Sequence, residues 1–194
     1  KDTQTLQYKG GLTDYLMQTL QGEPVIPLFD GEGYADGNNE SFAEGEGAAW
    51  AIGWVADGDI FADSHVNLIP TRSGGTHEAG FRNGIFDALS AFMDTRSLQP
   101  KGVKIIADDL WQRACFTLSA RIVRTQFHGQ TKEKLTTRHA AKLVELCVRD
   151  ACELWLNEHP EDGRRIVELA IDAHDVLQLW SLQTLRPRTF GELL

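Results

Sequence analysis

Ser64-His65-Val66-Asn67-Leu68-Ile69-Pro70-Thr71-Arg72-Ser73-Gly74-Gly75-Thr76-His77-Glu78-Ala79-Gly80-Phe81-Arg82 holds the most informative turn of the chain. Its first part closes an apolar run, Ile60 to Ile69, that reads as a strand. Pro70 stops the run, because proline has no N–H for a sheet ladder. Thr71 to Gly75 then reads as a loop and Thr76 as a helix N-cap. Beyond it Phe81, Ile85, Leu89 and Phe92 fall on one stripe at helical spacing. A strand therefore turns through a glycine pair into an amphipathic helix.

Upstream, Ala48 to Val55 alternates, with Trp50, Ile52 and Trp54 on one face of a second strand. Asp57-Gly58 reads as a hairpin turn leading to Ile60–Ile69. Leu12, Tyr15, Leu16 and Leu20 mark a short helix. Residues 30–47 are rich in glycine and acid and read as a mobile loop outside the core. Gly31-Glu32-Gly33 and Gly45-Glu46-Gly47 are poor phosphate loops, since their acidic neighbours repel phosphate. Downstream, Val103 to Ile106 reads as a short strand and Asp108-Asp109 as the opening of a helical turn. Cys115 to Val123 alternates, with Phe116, Leu118, Ala120 and Ile122 on one side. After a loop through His128 to Lys132, Thr136 or Thr137 caps a long helix whose expected buried stripe is Ala141, Val144, Val148, Ala151 and Trp155. Pro160 suits the first turn of a last helix carrying Ile166, Leu169, Ala170, Ala173, Val176, Leu177 and Trp180. This order predicts an α+β, two-layer domain: a sheet with helices on one face and a long C-terminal helix.

With 194 residues, 42% of them hydrophobic and 24% charged, the chain is long enough to bury a core without staples. No run reaches the roughly 18 apolar residues of a membrane-spanning helix. Three cysteines without Cys-x-x-Cys spacing argue against a disulfide framework and for a reducing cytoplasm. The six histidines include no pair at i, i+4, so no metal site is expected. There is no Gly-x-Ser-x-Gly nucleophile motif. The start at Lys1, without Met, reads as a piece cut from a longer protein.

Charge is uneven. The net value is −9, and residues 1–60 carry 2 basic and 11 acidic residues, whereas residues 101–150 carry 10 basic and 5 acidic. An acidic chain is a poor autonomous DNA binder, because lysine and arginine contacts to phosphate dominate such affinity. The basic segment still leaves room for a phosphate contact within a larger assembly. Within it, Gln130-Thr131-Lys132-Glu133-Lys134 follows a well-patterned strand and precedes a capped helix. A lysine there can reach a phosphate as a point charge, and the glutamine amide can add a second hydrogen bond. The alternative is a solvated turn.

Several blocks occur together: Tyr8-Lys9-Gly10-Gly11-Leu12, Ser64 to Thr71, Gly74-Gly75-Thr76-His77 with Gly80-Phe81-Arg82, and Gln130 to Leu135. In order and spacing they resemble the second domain of the ATPase subunits of bacterial type IIA topoisomerases. Asn67-Leu68-Ile69-Pro70-Thr71 and Leu154-Trp155-Leu156-Asn157 resemble the B subunit of topoisomerase IV more than the B subunit of DNA gyrase. The resemblance covers about residues 8–173, and Arg124-Thr125 departs from it, where the family has Asp-Pro.

The resemblance implies a transducer domain, residues 1–173, with a left-handed βαβ crossover; residues 174–194 read as a helical tail that lacks the Arg/Lys-rich helix of the family and takes no role from it. It implies coupling of ATP binding and hydrolysis, in a preceding GHKL domain, to DNA strand passage in a cytoplasmic, nucleoid-associated enzyme. Gln130 and Lys132 then contact the γ-phosphate of ATP, with Lys132 catalytic, and Arg72 faces the cavity that receives duplex DNA. ATP and Mg2+ are held mainly by the GHKL domain. The implied partners are that domain, a Toprim domain of the same chain, the A subunit of topoisomerase IV in a heterotetramer, and DNA. A transducer of a MutL-like mismatch-repair ATPase and a free-standing binding module that uses the acidic loop are the alternatives.

Overall fold

A computed structural model describes residues 9–38, 41–56, 58–99 and 104–184, with side chains to residue 174. Five strands form one mixed sheet: β1 (Phe29–Tyr34), β2 (Gly47–Trp54), β3 (Ala62–Val66), β4 (Ile69–Pro70) and β5 (Ala114–Arg121), in the order β1-β2-β5-β3-β4. Pairing is antiparallel except between β3 and β5, which run parallel. The chain links these two through helix α2 (Thr76–Arg96), as a βαβ crossover. Helices α4 (Arg138–Glu158) and α5 (Pro160–Thr184) follow β5, with only the one-residue break at His159 between them.

Trp50, Ile52 and Trp54 on β2 and Phe116 and Leu118 on β5 point to one face, and all are essentially inaccessible. Helices α2 and α4 close that face with Phe81, Ile85, Val144 and Val148. The opposite face is covered at one corner by the short helix α1 (Leu12–Thr19), whose Leu16 packs on Ala51, Val55 and Cys115. Helices α2 and α4 touch backbone to backbone at Gly80. A Cβ built there would run into the Ala141 carbonyl. The buried stripe of α4 is Ala140, Leu143, Val144, Val148, Cys152 and Leu156, so Ala141, Ala151 and Trp155 of the expected stripe sit at its margin, half-buried.

Several sequence expectations are corrected. β2 and β3 are not a hairpin, because β5 lies between them; Asp57 of the expected turn lies outside the described residues. The run Ile60–Ile69 is broken by a tight turn at Asn67 (φ 51°) and Leu68 (φ 65°). Asparagine tolerates this left-handed backbone. Its amide also extends the ladder, accepting from Ile122 N at 3.0 Å and donating to Ile122 O at 2.8 Å. Residues 29–34, mostly assigned to the mobile loop, form edge strand β1. In the same segment Glu46 is buried, 3% exposed. Its carboxylate accepts from Val123 N at 2.8 Å and Ala43 N at 3.0 Å and faces His139 Nε2 at 3.2 Å. Burial alone raises its pKa, but the two amides and the imidazole outweigh this and hold it below the ordinary value.

Lys104–Ile106 is not a strand, and Val103 lies outside the described residues. Ile106 instead opens helix α3 (Ala107–Trp111), donating its N–H to Asp109 Oδ2 at 2.8 Å. The same oxygen lies 3.1 Å from His174 Nδ1 on α5. Helix α5 is unbroken across 173/174, and residues 185–194 lie outside the described residues.

Candidate functional site

The site is built around a strap, residues 71–75, between β4 and α2. Thr71 is 2% exposed. Its N–H donates to Ser64 O at 2.8 Å, and its own carbonyl accepts from Gly74 N at 2.8 Å. Its hydroxyl donates to Ser64 O at 2.8 Å and lies 2.8 Å from Ser64 Oγ and 3.1 Å from His77 Nε2. The bonds are satisfied together when His77 carries its proton on Nε2 and donates to Thr71. Thr76, expected as the N-cap, is the first helical residue; Gly75 holds the cap position and makes no side-chain bond. The Thr76 hydroxyl donates instead to Thr137 O at 2.7 Å, beside the start of α4.

Across the strap lies a second, small hairpin, β6 (Phe127–His128) and β7 (Lys134–Leu135). The strap is zipped to its return strand: Ser73 N donates to Glu133 O at 2.9 Å, and Leu135 N to Gly74 O at 3.1 Å. Gly75 has a φ of 142° and lies so close to Leu135 that a Cβ would meet its backbone. The base of the hairpin is tied down by Gln126 N donating to Thr137 Oγ1 at 2.7 Å and Thr136 N to Gln126 O at 2.8 Å. These bonds order the approach to the loop just after Arg124-Thr125.

Gln130 and Lys132 are exposed in the loop between β6 and β7. Lys132 has φ 56°, a left-handed backbone that is costly for a residue with a Cβ. No carboxylate among the described residues pairs with it, whereas Lys142 is held by Glu145 at 2.6 Å. Arg72 is exposed on the strap and lines an open cleft of about 860 Å³. Lys134, Arg82 and Arg138 line it too. Arg82 is held there by Glu78 at 3.0 Å and by the Trp111 ring, whose centroid lies 4.6 Å from its guanidinium. The structure thus brings Arg72 into one cleft with Lys134 and Arg138. Sequence reasoning placed neither beside Arg72, because residues so far apart in the chain share no periodicity.

His77 is wholly buried. Burial, aided by the charge of His65, pushes its pKa down from 6.5 to about 4. The unfolded chain therefore binds the extra proton first. The resulting stability is complete above pH 6.5 and is lost as pH falls toward 4, to a total of about 3 kcal/mol. Urea melts of the native chain and of His77→Asn between about pH 4.5 and 7.5 check this. The stability gap between the two should narrow by about 2–3 kcal/mol toward acid; a constant gap would mean that the imidazole is not forced neutral.

A family model described as DNA gyrase B matches residues 11–178. The chain belongs to the DNA gyrase B family. That membership sets aside the mismatch-repair alternative. This gyrase B family chain is 42% identical to the B subunit of DNA topoisomerase 4 from Pseudomonas aeruginosa over 165 residues, 84% of this chain and 25% of that protein. It is 40% identical to the B subunit of DNA topoisomerase 4 from Haemophilus influenzae over 167 residues, 86% and 26% of the two chains. It spans about a quarter of the length of these curated relatives. Among solved structures, it superposes on the topoisomerase IV ATP binding domain of Francisella tularensis, in complex with a small-molecule inhibitor. That match has a TM-score of 0.73 at 33% identity and covers 90% of this chain and 45% of the other. The 43K ATPase domain of Thermus thermophilus gyrase B, in complex with an aminocoumarin, shares the fold with a TM-score of 0.78 at 22% identity, covering 91% and 46%. Among the described residues, no helix is long and apolar enough to cross a membrane.

Proposed function

We propose that this gyrase B family domain is the transducer of an ATP-dependent type II DNA topoisomerase of the topoisomerase IV kind. In this reading it couples ATP binding and hydrolysis in a preceding GHKL domain to DNA strand passage, in decatenation and relaxation. Its partners are that domain, a Toprim domain, the A subunit of topoisomerase IV in a heterotetramer, and duplex DNA, in the bacterial cytoplasm. Residues 1–173 form the transducer and 174–194 a tail.

The observation that carries the reading is Lys132. It is an exposed cation without a carboxylate partner among the described residues, held in a left-handed backbone on a hairpin stapled to the strap. That conformation is costly for a lysine and is maintained here by the bonds that fix the hairpin to the strap. Lys132 and the Gln130 amide meet the γ-phosphate of ATP bound in the GHKL domain. The ammonium stabilises charge that shifts during phosphoryl transfer. ATP is the substrate and is held mainly by the other domain, with Mg2+. This domain's share in the reading is a cation and an amide. Arg72, with Lys134 and Arg138 beside it, faces the duplex; such contacts to phosphate are independent of sequence.

Calorimetry with a non-hydrolysable ATP analogue tests the composite site. One charge-assisted contact contributes roughly 1.5–3 kcal/mol, so the 194-residue chain alone should bind no tighter than about millimolar. Micromolar affinity of the isolated chain would overturn the reading.

A further inference from the structure

We infer that Thr71 is a positioning residue for Lys132, holding it in place through the strap. The inference rests on the reading that Lys132 meets the γ-phosphate.

Lys132 precedes Glu133, whose carbonyl accepts from Ser73 of the strap at 2.9 Å. Two residues after Glu133, Leu135 is bound to Gly74 of the same strap. The course of the strap is set in turn at Thr71. Its hydroxyl meets Ser64 O, Ser64 Oγ and His77 Nε2 together, at 2.8, 2.8 and 3.1 Å. All three residues are buried, at 2%, 5% and 0% exposure for Thr71, Ser64 and His77. A buried donor or acceptor left without its partner costs more than a hydrogen bond contributes net, so loss of the Thr71 hydroxyl would leave the buried His77 Nε2 without its partner. Ser64 lies on β3 in the sheet and His77 in the first turn of α2. Thr71 thus ties the strap to two rigid elements before it reaches the hairpin. Removing the hydroxyl takes away its ties at the root of the strap and leaves the backbone bond from Thr71 N to Ser64 O there, while the lysine itself stays intact.

Two measurements test this. In the 194-residue chain, Thr71→Val keeps the shape and removes the hydroxyl. Hydrogen exchange at the Leu135 amide should then quicken by at least about tenfold, while Thr71→Ser leaves it slow. In the full-length subunit, Thr71→Val should lower kcat for ATP by roughly 10- to 100-fold, as expected of a misplaced group, with KM nearly unchanged and Thr71→Ser restoring the rate. In the Lys132→Ala background the same change should have no further effect, because Thr71 acts only through that lysine. If Thr71→Val does not fold, Thr71→Cys, close in size and a weak hydrogen bonder, takes its place. Unchanged Leu135 exchange, or a loss that adds fully to that of Lys132→Ala, overturns the inference. If Lys132→Ala itself leaves turnover intact, the γ-phosphate reading fails instead, and with it the role assigned to Thr71; the exchange measurement still reports on the strap.

Discussion

Lys132→Ala in the full-length subunit should lower ATP turnover by roughly 10²–10³-fold, the usual loss on removing one preorganised group that meets developing charge. The fold should survive, because Lys132 is exposed and fills no core position. Its left-handed backbone costs alanine about what it costs lysine, so the substitution changes charge and reach rather than loop course. Gln130→Ala should act in the same direction more weakly, a neutral amide being the poorer partner for phosphate. Lys134 is the internal control. It lies in β7 and lines the Arg72 cleft rather than the hairpin tip. Lys134→Ala should therefore leave ATP turnover measured without DNA nearly unchanged. Steady-state ATP hydrolysis with circular dichroism on each variant checks the series. If Lys134→Ala is the damaging change and Lys132→Ala is silent, the wrong lysine has been assigned. If neither change matters, the composite-site reading fails.

Gly80→Ala should destabilise the domain by about 2–4 kcal/mol, although alanine is the better helix former. Two effects compete. Helix propensity favours alanine over glycine by about 1 kcal/mol. Against it, the new methyl would run into the Ala141 carbonyl, a backbone group of α4 that cannot rotate away. The helices would have to move apart along the seam that buries Phe81, Ile85, Val144 and Val148. Overpacking of a rigid contact therefore wins. For a chain of this length the loss corresponds to a melting temperature lower by roughly 5–15 °C. Thermal denaturation reads it directly; an unchanged or raised midpoint would mean that the two helices have room the geometry denies them.

Much of the fold is legible in the amino-acid sequence because it depends on near neighbours. The Trp50-Ile52-Trp54 alternation, the Phe81-Ile85-Leu89-Phe92 stripe and Pro160 as the opening of the last helix each express a backbone period or a missing N–H, and each is found in the fold. The Gln130-Thr131-Lys132 block is visible as a polar loop between patterned elements. The blocks that resemble topoisomerase ATPase subunits point to the family now shown. That β5 separates β2 from β3 emerges only in three dimensions, because a parallel partner returns through a whole helix and leaves no local mark. The same holds for Glu46. Read alone it is one more acid in a Gly-rich loop, and it becomes a buried staple only because Val123 and His139 arrive from 77 and 93 positions away. Thr76 shows the limit most plainly. Its residue type suits a cap, but the hydroxyl is drawn to Thr137, 61 positions on, since the strap and the hairpin have to close on one another. That closure sets where Lys132 stands, and it is carried by backbone bonds at Ser73, Gly74 and Leu135, which no side-chain pattern records.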